Sequence, residues 1–288
     1  MKTRQNCRMK AWIEPGAKRD QTIMKIYLLN LEDDRDRLAH ATAIFADKGL
    51  AFERLPAVDG RKMSEAERSE HLAFPAAGSF DLSPSQVGCY LSHVHAWERF
   101  LETDAAVAAI FEDDVHLGED IDRLFDAPET WLPDDADIVK LETCLQKVPL
   151  PEKAEGAVVG RNLVRLTGRH HGAAGYIVTR KGAEKLLENS RKLAVGVDAM
   201  MFSPQVAVES RPIVYQLEPA ICIQDDLAER TNVDKLGFPS HNVPSGTKSY
   251  GENHLAQLRY RLRDRSRAFY LKARNALRGY RKRIVAFR

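Results

Sequence analysis

The sequence contains no apolar run long enough to span a bilayer, and its first residues lack the apolar centre of a secretory signal peptide. Its four cysteines form neither a CxxC pair nor a zinc-ligand spacing, so no disulfide framework is predicted and a reducing cytoplasm is expected. The net charge of +2 does not by itself indicate a polyanionic partner. What remains is a 288-residue chain with 44% hydrophobic and 29% charged residues, which predicts a folded protein with a substantial core.

The basic residues are concentrated at one end of the chain. Residues 255–288 contain 12 Lys and Arg against one acid, which leaves the rest of the chain mildly acidic. Apolar residues recur in this tail at helical spacing, so a basic amphipathic helix over 255–288 is predicted. Such a helix either lies on an anionic membrane surface or closes the core with its apolar stripe, and we favour the membrane. No groove-reading pattern supports nucleic acid as a partner.

The first part of the chain alternates between strand and helix patterns. Residues 1–23 are unpatterned and are predicted to be a poorly ordered extension. A strand at 25–31, a helix whose apolar residues share one face, and a strand at 52–58 follow. This β-α-β order indicates an α/β fold with a mostly parallel sheet and a nucleotide-sized crevice at its carboxyl edge. We expect the catalytic domain to span 24–226 and a mobile loop to span 227–254.

The stretch 107–115 is the most informative. Small and β-branched apolar residues predict a strand buried on both faces, and the strand runs directly into Glu112, Asp113 and Asp114. Three neighbouring carboxylates repel one another, so a cation is expected to offset their charge, and a hard divalent ion with oxygen ligands suits them. The alternative is an exposed acidic turn after a core strand.

Several blocks in sequence resemble glycosyltransferase family 25, the group of lipooligosaccharide galactosyltransferases and collagen glycosyltransferases. The resemblance covers about residues 24 to 226 and departs at Gly196, where the family pattern has proline. The matching blocks are 26–31 with Asp34, Arg35 and Arg37, then 56–60, 88–89 with 91–93, 111–115, 175–178, 197–198, and Pro219, Ala220 and Gln224.

The resemblance implies a GT-A-like fold, a UDP-sugar donor, a divalent metal such as Mn²⁺ or Mg²⁺, and transfer with inversion at the sugar carbon. The metal would neutralise the diphosphate leaving group as a Lewis acid. Glu112, Asp113 and Asp114 would supply the metal and ribose contacts. Alternation along an extended chain puts Glu112 and Asp114 on one side, and we favour Asp114 as the direct ligand.

Other donor-site candidates lie just after predicted strands. Arg35 and Arg37 follow the first strand, and their guanidinium groups either bind phosphate oxygens or are solvated charges at a helix start. Asn30 either hydrogen-bonds the base or ribose or merely ends the strand. Asp59 either touches the nucleoside or forms a plain turn with Gly60.

Histidines offer further candidates. His93 and His95 fall on nearly opposite faces of a helix, so they cannot form a two-ligand metal motif. Through the family match, Ser92 and His93 are expected to face the donor. His170 and His171 either contact acceptor or metal, or are loop histidines without a role.

Inverting transfer requires a base that deprotonates the acceptor hydroxyl. Asp198 is the first candidate and Glu142 the second, although Glu142 could equally be a plain strand end.

We therefore predict a cytoplasmic, membrane-peripheral enzyme at the inner face of the membrane. It would move a hexose, galactose by preference, from a UDP-sugar to lipooligosaccharide, lipopolysaccharide or another surface glycan. The alternatives are a different donor, a protein acceptor, or a degenerate sugar-nucleotide-binding or regulatory protein.

Overall fold

The computed structural model describes residues 24–72, 79–80, 82–204, 206, 208–238, 248–249 and 279–288, together with residues 262, 265–266, 269–270, 273–275 and 277. The predicted N-terminal extension lies outside these residues, as do residues 239–247 and 250–254 of the predicted mobile loop.

Strands and helices alternate in the first part of the described chain, whereas residues 138–179 contain five strands in succession. The strands are β1 (Lys25–Asn30), β2 (Glu53–Pro56), β3 (Ser79–Phe80), β4 (Val107–Glu112), β5 (Val115–Leu117), β6 (Ile138–Lys140), β7 (Lys147–Pro151), β8 (Gly156–Val158), β9 (Arg161–Arg165), β10 (Gly175–Thr179), β11 (Val214–Glu218), β12 (Cys222–Gln224), β13 (Lys248–Ser249) and β14 (Tyr280–Ile284). The helices are α1 (Arg35–Asp47), α2 (Glu65–His71), α3 (Pro84–Leu101), α4 (Ile121–Phe125), α5 (Arg180–Asn189), α6 (Val197–Phe202) and α7 (Asp225–Ala228), with 3-10 turns at Pro128–Thr130 and Glu229–Thr231.

The central sheet has eight strands in the order β2-β1-β4-β10-β6-β11-β9-β8. The predicted α/β class, with a large sheet flanked by helices, is confirmed. The prediction of a mostly parallel sheet is wrong, because only β1–β2, β1–β4 and β6–β11 pair in parallel. Strand β10 runs antiparallel between β4 and β6, and β8 and β9 form a hairpin joined by two residues, which enforces antiparallel pairing.

Strand β4 is buried on both faces and divides its side chains between two cores. Ala108 and Ile110 pack with α3 and α5, whereas Ala109 and Phe111 pack with α1 and α4. The period-2 alternation of a strand therefore directs the next residue, Glu112, toward α3 and the one after it toward α1.

Helix α3 begins with a reciprocal N-terminal cap. The Ser83 hydroxyl accepts the N–H of Gln86, the Gln86 side chain accepts the N–H of Ser83, and Pro84 occupies the first helical position. This reciprocal cap satisfies two backbone donors and fixes the direction in which α3 approaches the sheet.

The prediction of a helix through residue 288 is wrong for its last part. Residues 262–277 are helical wherever they are described, but Tyr280–Ile284 form β14, which pairs antiparallel with β7. Gly279 separates the two with φ +70, a conformation typical of a residue just after a helix. Val285 is fully buried in the main core, so the end of the chain belongs to the folded domain.

Among the described residues, no helix has both the length and the hydropathy to cross a membrane.

Candidate active site

Most of the predicted site residues meet at the carboxyl edge of the central sheet. Strands β1, β2 and β4 end there around a cavity of about 310 Å³. The predicted residues that line it are Arg37, Asp59, Ser92, His93, Glu112, Asp113 and Asp114. The carboxylates therefore surround a ligand-sized space and do not form an exposed turn.

Asp113 is held from the α1 side. Its carboxylate pairs with Arg37 at 2.9 Å and accepts the Asn30 amide N–H at 2.7 Å. Burial raises the pKa of Asp113, although both of these partners act to lower it. Asn30 is 1% exposed and also accepts from Arg54, so the geometry favours ordering of Asp113 over direct contact with a nucleoside.

Arg37 connects two members of the acidic cluster. Its guanidinium lies 2.9 Å from Asp113 and 3.3 Å from Asp114, and it is almost fully buried. Burial acts to lower the pKa of Arg37, but the charges of Asp114 and Asp113 outweigh it, and the pKa is raised. The geometry favours a supporting role for Arg37 over the phosphate contact predicted from the sequence.

Glu112 and Asp114 face the cavity together. Burial and the charge of Glu112 raise the pKa of Asp114 to about 7. Nε2 of Gln224 lies between them, 3.1 Å from Oε2 of Glu112 and 3.4 Å from Oδ1 of Asp114. The guanidinium of Arg37 balances one of the three carboxylate charges in the cluster, which suits the remaining pair to a hard divalent ion.

A buried chain of hydrogen bonds orients Glu112 from the α3 side. The indole N–H of Trp97 donates to the Tyr176 hydroxyl at 2.8 Å, and this hydroxyl lies 2.9 Å from Nδ1 of His93. The Glu112 carboxylate that faces Nε2 can only accept, so the imidazole N–H resides on Nε2 and Nδ1 accepts the proton of the Tyr176 hydroxyl. That N–H faces Oε1 of Glu112 at 3.3 Å. His93 is buried at the wall of the cavity and directs Nε2 at Glu112, so the geometry favours a supporting role over the donor contact predicted.

Cys89, His93 and Glu112 also place their ligand atoms within 4.8 Å of one another, close enough to share an ion. Burial raises the pKa of the Cys89 thiol well above its usual range, and the charge of Glu112 adds to the effect. The thiolate that a metal needs is therefore disfavoured, and Nε2 of His93 carries a proton instead of a free lone pair. Glu112 and Asp114 are the better candidate ligands.

Ser92 fastens α3 to the loop after β2. Its hydroxyl donates to the Gly88 carbonyl at 2.8 Å and accepts the Val58 N–H at 2.8 Å. A Cβ on Gly88 would stand 2.3 Å from the Val58 carbonyl oxygen, so the two backbones touch directly. This close approach positions Asp59, which lines the cavity and pairs with Arg61 at 2.7 Å.

Arg35 lies away from the acidic cluster. It is exposed at the start of α1 and borders a shallow surface hollow together with Glu32 and Arg54. Of the two alternatives for Arg35, its position favours a solvated charge at the helix start over a phosphate contact in the cavity. Arg35 and Arg37 point in different directions because residues two positions apart lie on different faces of a helix.

The two candidate bases differ in access. Glu142 is 0% exposed, pairs with Lys140 at 2.9 Å and accepts the Ala174 N–H at 3.0 Å. Asp198 is partly exposed and lies 3.3 Å from the Gly172 N–H and 3.6 Å from Nδ1 of His171. A base must reach the acceptor hydroxyl, so the enclosure of Glu142 disfavours it.

Asp198 belongs to the same edge of the sheet. Burial acts to raise its pKa, but hydrogen bonds from His171 and Gly172 outweigh it, and the pKa is lowered. Asp198 is not among the residues that line the 310 Å³ cavity, and its side chain contacts Gly172 and His171 beside the start of β10. Gly196, just before α6, has φ −58, which the proline of the family pattern would also adopt.

Sequence reasoning did not assign roles to Trp97, Tyr176, Arg54 or Gln224. Gln224 carried a signal, because it closes the last block of the family resemblance. Tyr176 also lies in a block of that resemblance. Arg54, which donates to Asn30, and Trp97, which donates to Tyr176, carried no signal, since their partners are distant in sequence.

Comparison with known proteins identifies the group to which the chain belongs. The model of glycosyltransferase family 25 (LPS biosynthesis protein) matches residues 23–201. A putative glycosyltransferase of Haemophilus influenzae is 33% identical over 204 residues, which is 69% of this chain and 70% of that protein. The lacto-N-neotetraose biosynthesis glycosyltransferase LgtB of Neisseria gonorrhoeae is 33% identical over 70% of this chain and 75% of that protein.

Two further likenesses are more limited. The lipooligosaccharide biosynthesis protein lex-1 of Haemophilus influenzae is 36% identical over 50% of each chain. A solved glycosyltransferase involved in the glycosylation of the major capsid of PBCV-1 covers 70% of this chain and 92% of its own, at 8% identity and a TM-score of 0.35, which is too distant to bear on the fold. The family match and the 33% identical relatives are decisive: this chain belongs to glycosyltransferase family 25 and is a glycosyltransferase.

Proposed function

We propose that the enzyme transfers a hexose, galactose by preference, from a UDP-sugar to a lipooligosaccharide or related bacterial surface glycan. The observation that carries this proposal is the pair Glu112 and Asp114, which face a ligand-sized cavity at the carboxyl edge of the sheet. Such an edge is where α/β sheets bind nucleotides, which supports a GT-A-like arrangement. Names of relatives that refer to lipooligosaccharide biosynthesis support the acceptor class.

We assign a divalent ion to Glu112 and Asp114, whose hard oxygen atoms fit Mn²⁺ or Mg²⁺. When bound, such an ion supplies Lewis-acid neutralisation of the diphosphate leaving group. Asp113 is clamped by Asn30 and Arg37, and it thereby fixes the turn on which both ligands sit. The loop at 57–60, seated on α3 through Ser92, forms the opposite wall of the cavity.

We assign the role of base to Asp198. It accepts the proton of the acceptor hydroxyl while that oxygen bonds to the anomeric carbon, and the bond to the diphosphate breaks with its electron pair leaving on the phosphate oxygen. A lowered pKa keeps Asp198 ionised and ready to accept. Glu142 supports this edge from inside, by its hydrogen bond to Ala174 and its pairing with Lys140.

Donor turnover tests this proposal. UDP-galactose hydrolysis and transfer should require Mn²⁺ or Mg²⁺, stop with chelator, and fall by at least about 100-fold in Asp114→Asn. Asp47→Asn, an exposed acid on α1, serves as the matched control and should behave like the native enzyme. If turnover is unchanged by chelator and by Asp114→Asn, the proposed metal has no role in the reaction.

The identity of the donor is tested separately by thermal shift with Mn²⁺ present. UDP-galactose should raise the melting temperature more than UDP-glucose or GDP-mannose, because only a ligand that binds the native state stabilises it. Stabilisation by GDP-mannose alone would show that the nucleotide assignment is wrong. Donor binding without any turnover would favour the degenerate binding protein.

We also propose that the helical part of the basic tail docks on the anionic inner face of the cytoplasmic membrane. Its described apolar side chains are unusually exposed: Leu262 57%, Phe269 75%, Tyr270 63% and Leu277 89%. Apolar anchors among many Lys and Arg residues suit an interfacial helix. The native protein should pellet with phosphatidylglycerol vesicles, whereas most of the double variant Phe269→Ser, Leu277→Ser should stay in the supernatant. Equal pelleting of both proteins would overturn the docking proposal.

A further inference from the structure

Gln224 is held directly opposite the acidic turn by backbone hydrogen bonding. It ends β12, which pairs antiparallel with β5 so that Gln224 faces Val115. The next residue, Asp225, donates its N–H to the Asp114 carbonyl at 2.8 Å. These contacts fix the main chain of Gln224 beside Asp114 whether or not its side chain makes any bond.

The side chain of Gln224 reaches between the two cavity carboxylates. Its terminal amide nitrogen is 3.1 Å from Oε2 of Glu112 and 3.4 Å from Oδ1 of Asp114. An N–H₂ group in this position eases the repulsion between Glu112 and Asp114 when no cation is bound. The same position is where a third ligand atom of a cation shared by these carboxylates would stand.

We propose that Gln224 is the third protein ligand of the divalent ion and binds it through its amide oxygen. This inference rests on the metal site proposed above and adds to it a residue on a different strand. An ion with oxygen ligands at about 2.1 to 2.4 Å places neighbouring ligand oxygens about 3.0 to 3.4 Å apart at right angles. The distances of 3.1 and 3.4 Å around the Gln224 amide match that spacing.

The amide needs only a rotation about its last torsion to change roles. Oxygen and nitrogen of a glutamine amide occupy nearly the same volume, and turning the group by a half-circle exchanges them. That torsion is broad and roughly two-fold, so both orientations are accessible. Gln224 thus donates N–H to the carboxylates without an ion and presents its carbonyl oxygen when an ion binds.

Three substitutions separate a ligand from a mere hydrogen-bond donor. Gln224→Glu keeps an oxygen but removes the N–H donors, whereas Gln224→Lys keeps N–H donors but offers no oxygen. A ligand role predicts that Mn²⁺ binds Gln224→Glu within about threefold of the native affinity or tighter, and binds Gln224→Lys at least about tenfold more weakly. Because the charge that each variant adds shifts Mn²⁺ affinity in this same order, uncharged Gln224→Met decides between the roles. A ligand role predicts at least about tenfold weaker Mn²⁺ binding to Gln224→Met, whereas a donor role predicts binding at least as tight as in the native protein, since a hydrogen bond that competes for the carboxylates is gone.

The measurement is Mn²⁺ binding to the intact protein without nucleotide, followed by electron paramagnetic resonance or calorimetry. Melting temperatures without metal verify folding, and Gln224→Lys should melt no lower than the native protein since its ammonium offsets the cluster. If the native protein binds Mn²⁺ and Asp114→Asn does not, but Gln224→Met binds like the native protein, the ligand role of Gln224 is overturned and the metal site stands. If the native protein itself does not bind Mn²⁺, both proposals fall.

Discussion

Single side chains divide the acidic cluster into a clamped part and a cavity-facing part. Asp113 is enclosed by Asn30 and Arg37, whereas Glu112 and Asp114 reach the cavity. Glu112 ends β4 on the α3 side, whereas Asp113 and Asp114 form the turn between β4 and β5, where Arg37 contacts both of them from the α1 side. One face carries α1 and its arginine, and the other carries α3 and its histidine.

The hydroxyl of Tyr176 should matter to catalysis as well as to stability. Tyr176→Phe removes the group that fixes the His93 tautomer and leaves the buried Trp97 N–H without its acceptor. We expect a loss of about 1–3 kcal/mol in unfolding free energy and a lower rate of donor turnover. Urea unfolding and turnover by the same preparation measure both effects.

Tyr90→Phe is the matched control for that substitution. Tyr90 is equally buried on α3, and its hydroxyl contacts Ser190 at 3.3 Å, away from Glu112. It should lose stability without losing turnover. Equal turnover in the two variants would contradict the idea that the Trp97–Tyr176–His93 chain orients Glu112.

His170 gives the protein a defined acid sensitivity. Burial, and then the charge of Lys140, lowers its pKa to about 3, while Nδ1 donates to Gln216 at 2.8 Å. Between that value and about 6.5 the unfolded chain binds a proton that the folded chain excludes, so stability falls as the pH drops below about 6.5. His170→Asn keeps an N–H donor but does not titrate.

From pH 7 to pH 5, the native protein should therefore lose about 2 kcal/mol more unfolding free energy than His170→Asn. Urea unfolding of both proteins at the two pH values gives this difference directly, because the other titrating groups cancel. Identical losses would show that His170 is protonated in the folded state at pH 5.

Among the elements, α3 and the loop after β2 form a unit that shapes the cavity. Gly88→Ala would insert a methyl group 2.3 Å from the Val58 carbonyl oxygen, so the loop must move away from α3. We expect a higher KM for the donor together with lower stability. Gly49→Ala is the control, since a Cβ there meets nothing within 4 Å and tests only the backbone strain of its φ of +66. A donor KM that rises equally in both variants would argue against the loop as a wall of the donor site.

Elements specified by local sequence could be predicted, and elements that depend on distant partners could not. The β1-α1-β2 unit, the buried β4 strand and the Ser83 cap of α3 follow from periodicity and capping residues. The antiparallel direction of β10 depends on the strands beside it in the sheet. Likewise, β14 forms because β7 offers an edge, which overrides the helical spacing of the tail.

The same distinction applies to the site. The three acids and their place at the end of a strand could be predicted from the sequence. Which acid is clamped could not, because Asn30 and Arg37 reach Asp113 only after α1 packs on the sheet. The position of Arg35 outside the cavity likewise depends on how α1 is rotated against the sheet.

At the scale of the whole molecule, the end of the chain closes the core. Val285 is fully buried, its carbonyl accepts the Thr143 hydroxyl at 2.7 Å, and Ala220 donates to the next carbonyl. Val285→Ala should cost about 1–3 kcal/mol of unfolding free energy, as expected for a cavity in a packed core. Ile284→Ala, at a half-exposed neighbouring position, should cost little. Equal melting curves for the two variants would place the end of the chain outside the core.

In the proposed donor site, carboxylates hold a cation and the cation holds a diphosphate. Calorimetric titration of UDP into the intact enzyme, with and without Mn²⁺, measures that relation most directly, because coupled ligands change each other's affinity reciprocally. We predict that Mn²⁺ tightens UDP binding by at least about tenfold and that Asp114→Asn abolishes this gain. UDP affinity that is the same with and without Mn²⁺ in the native enzyme would contradict the account.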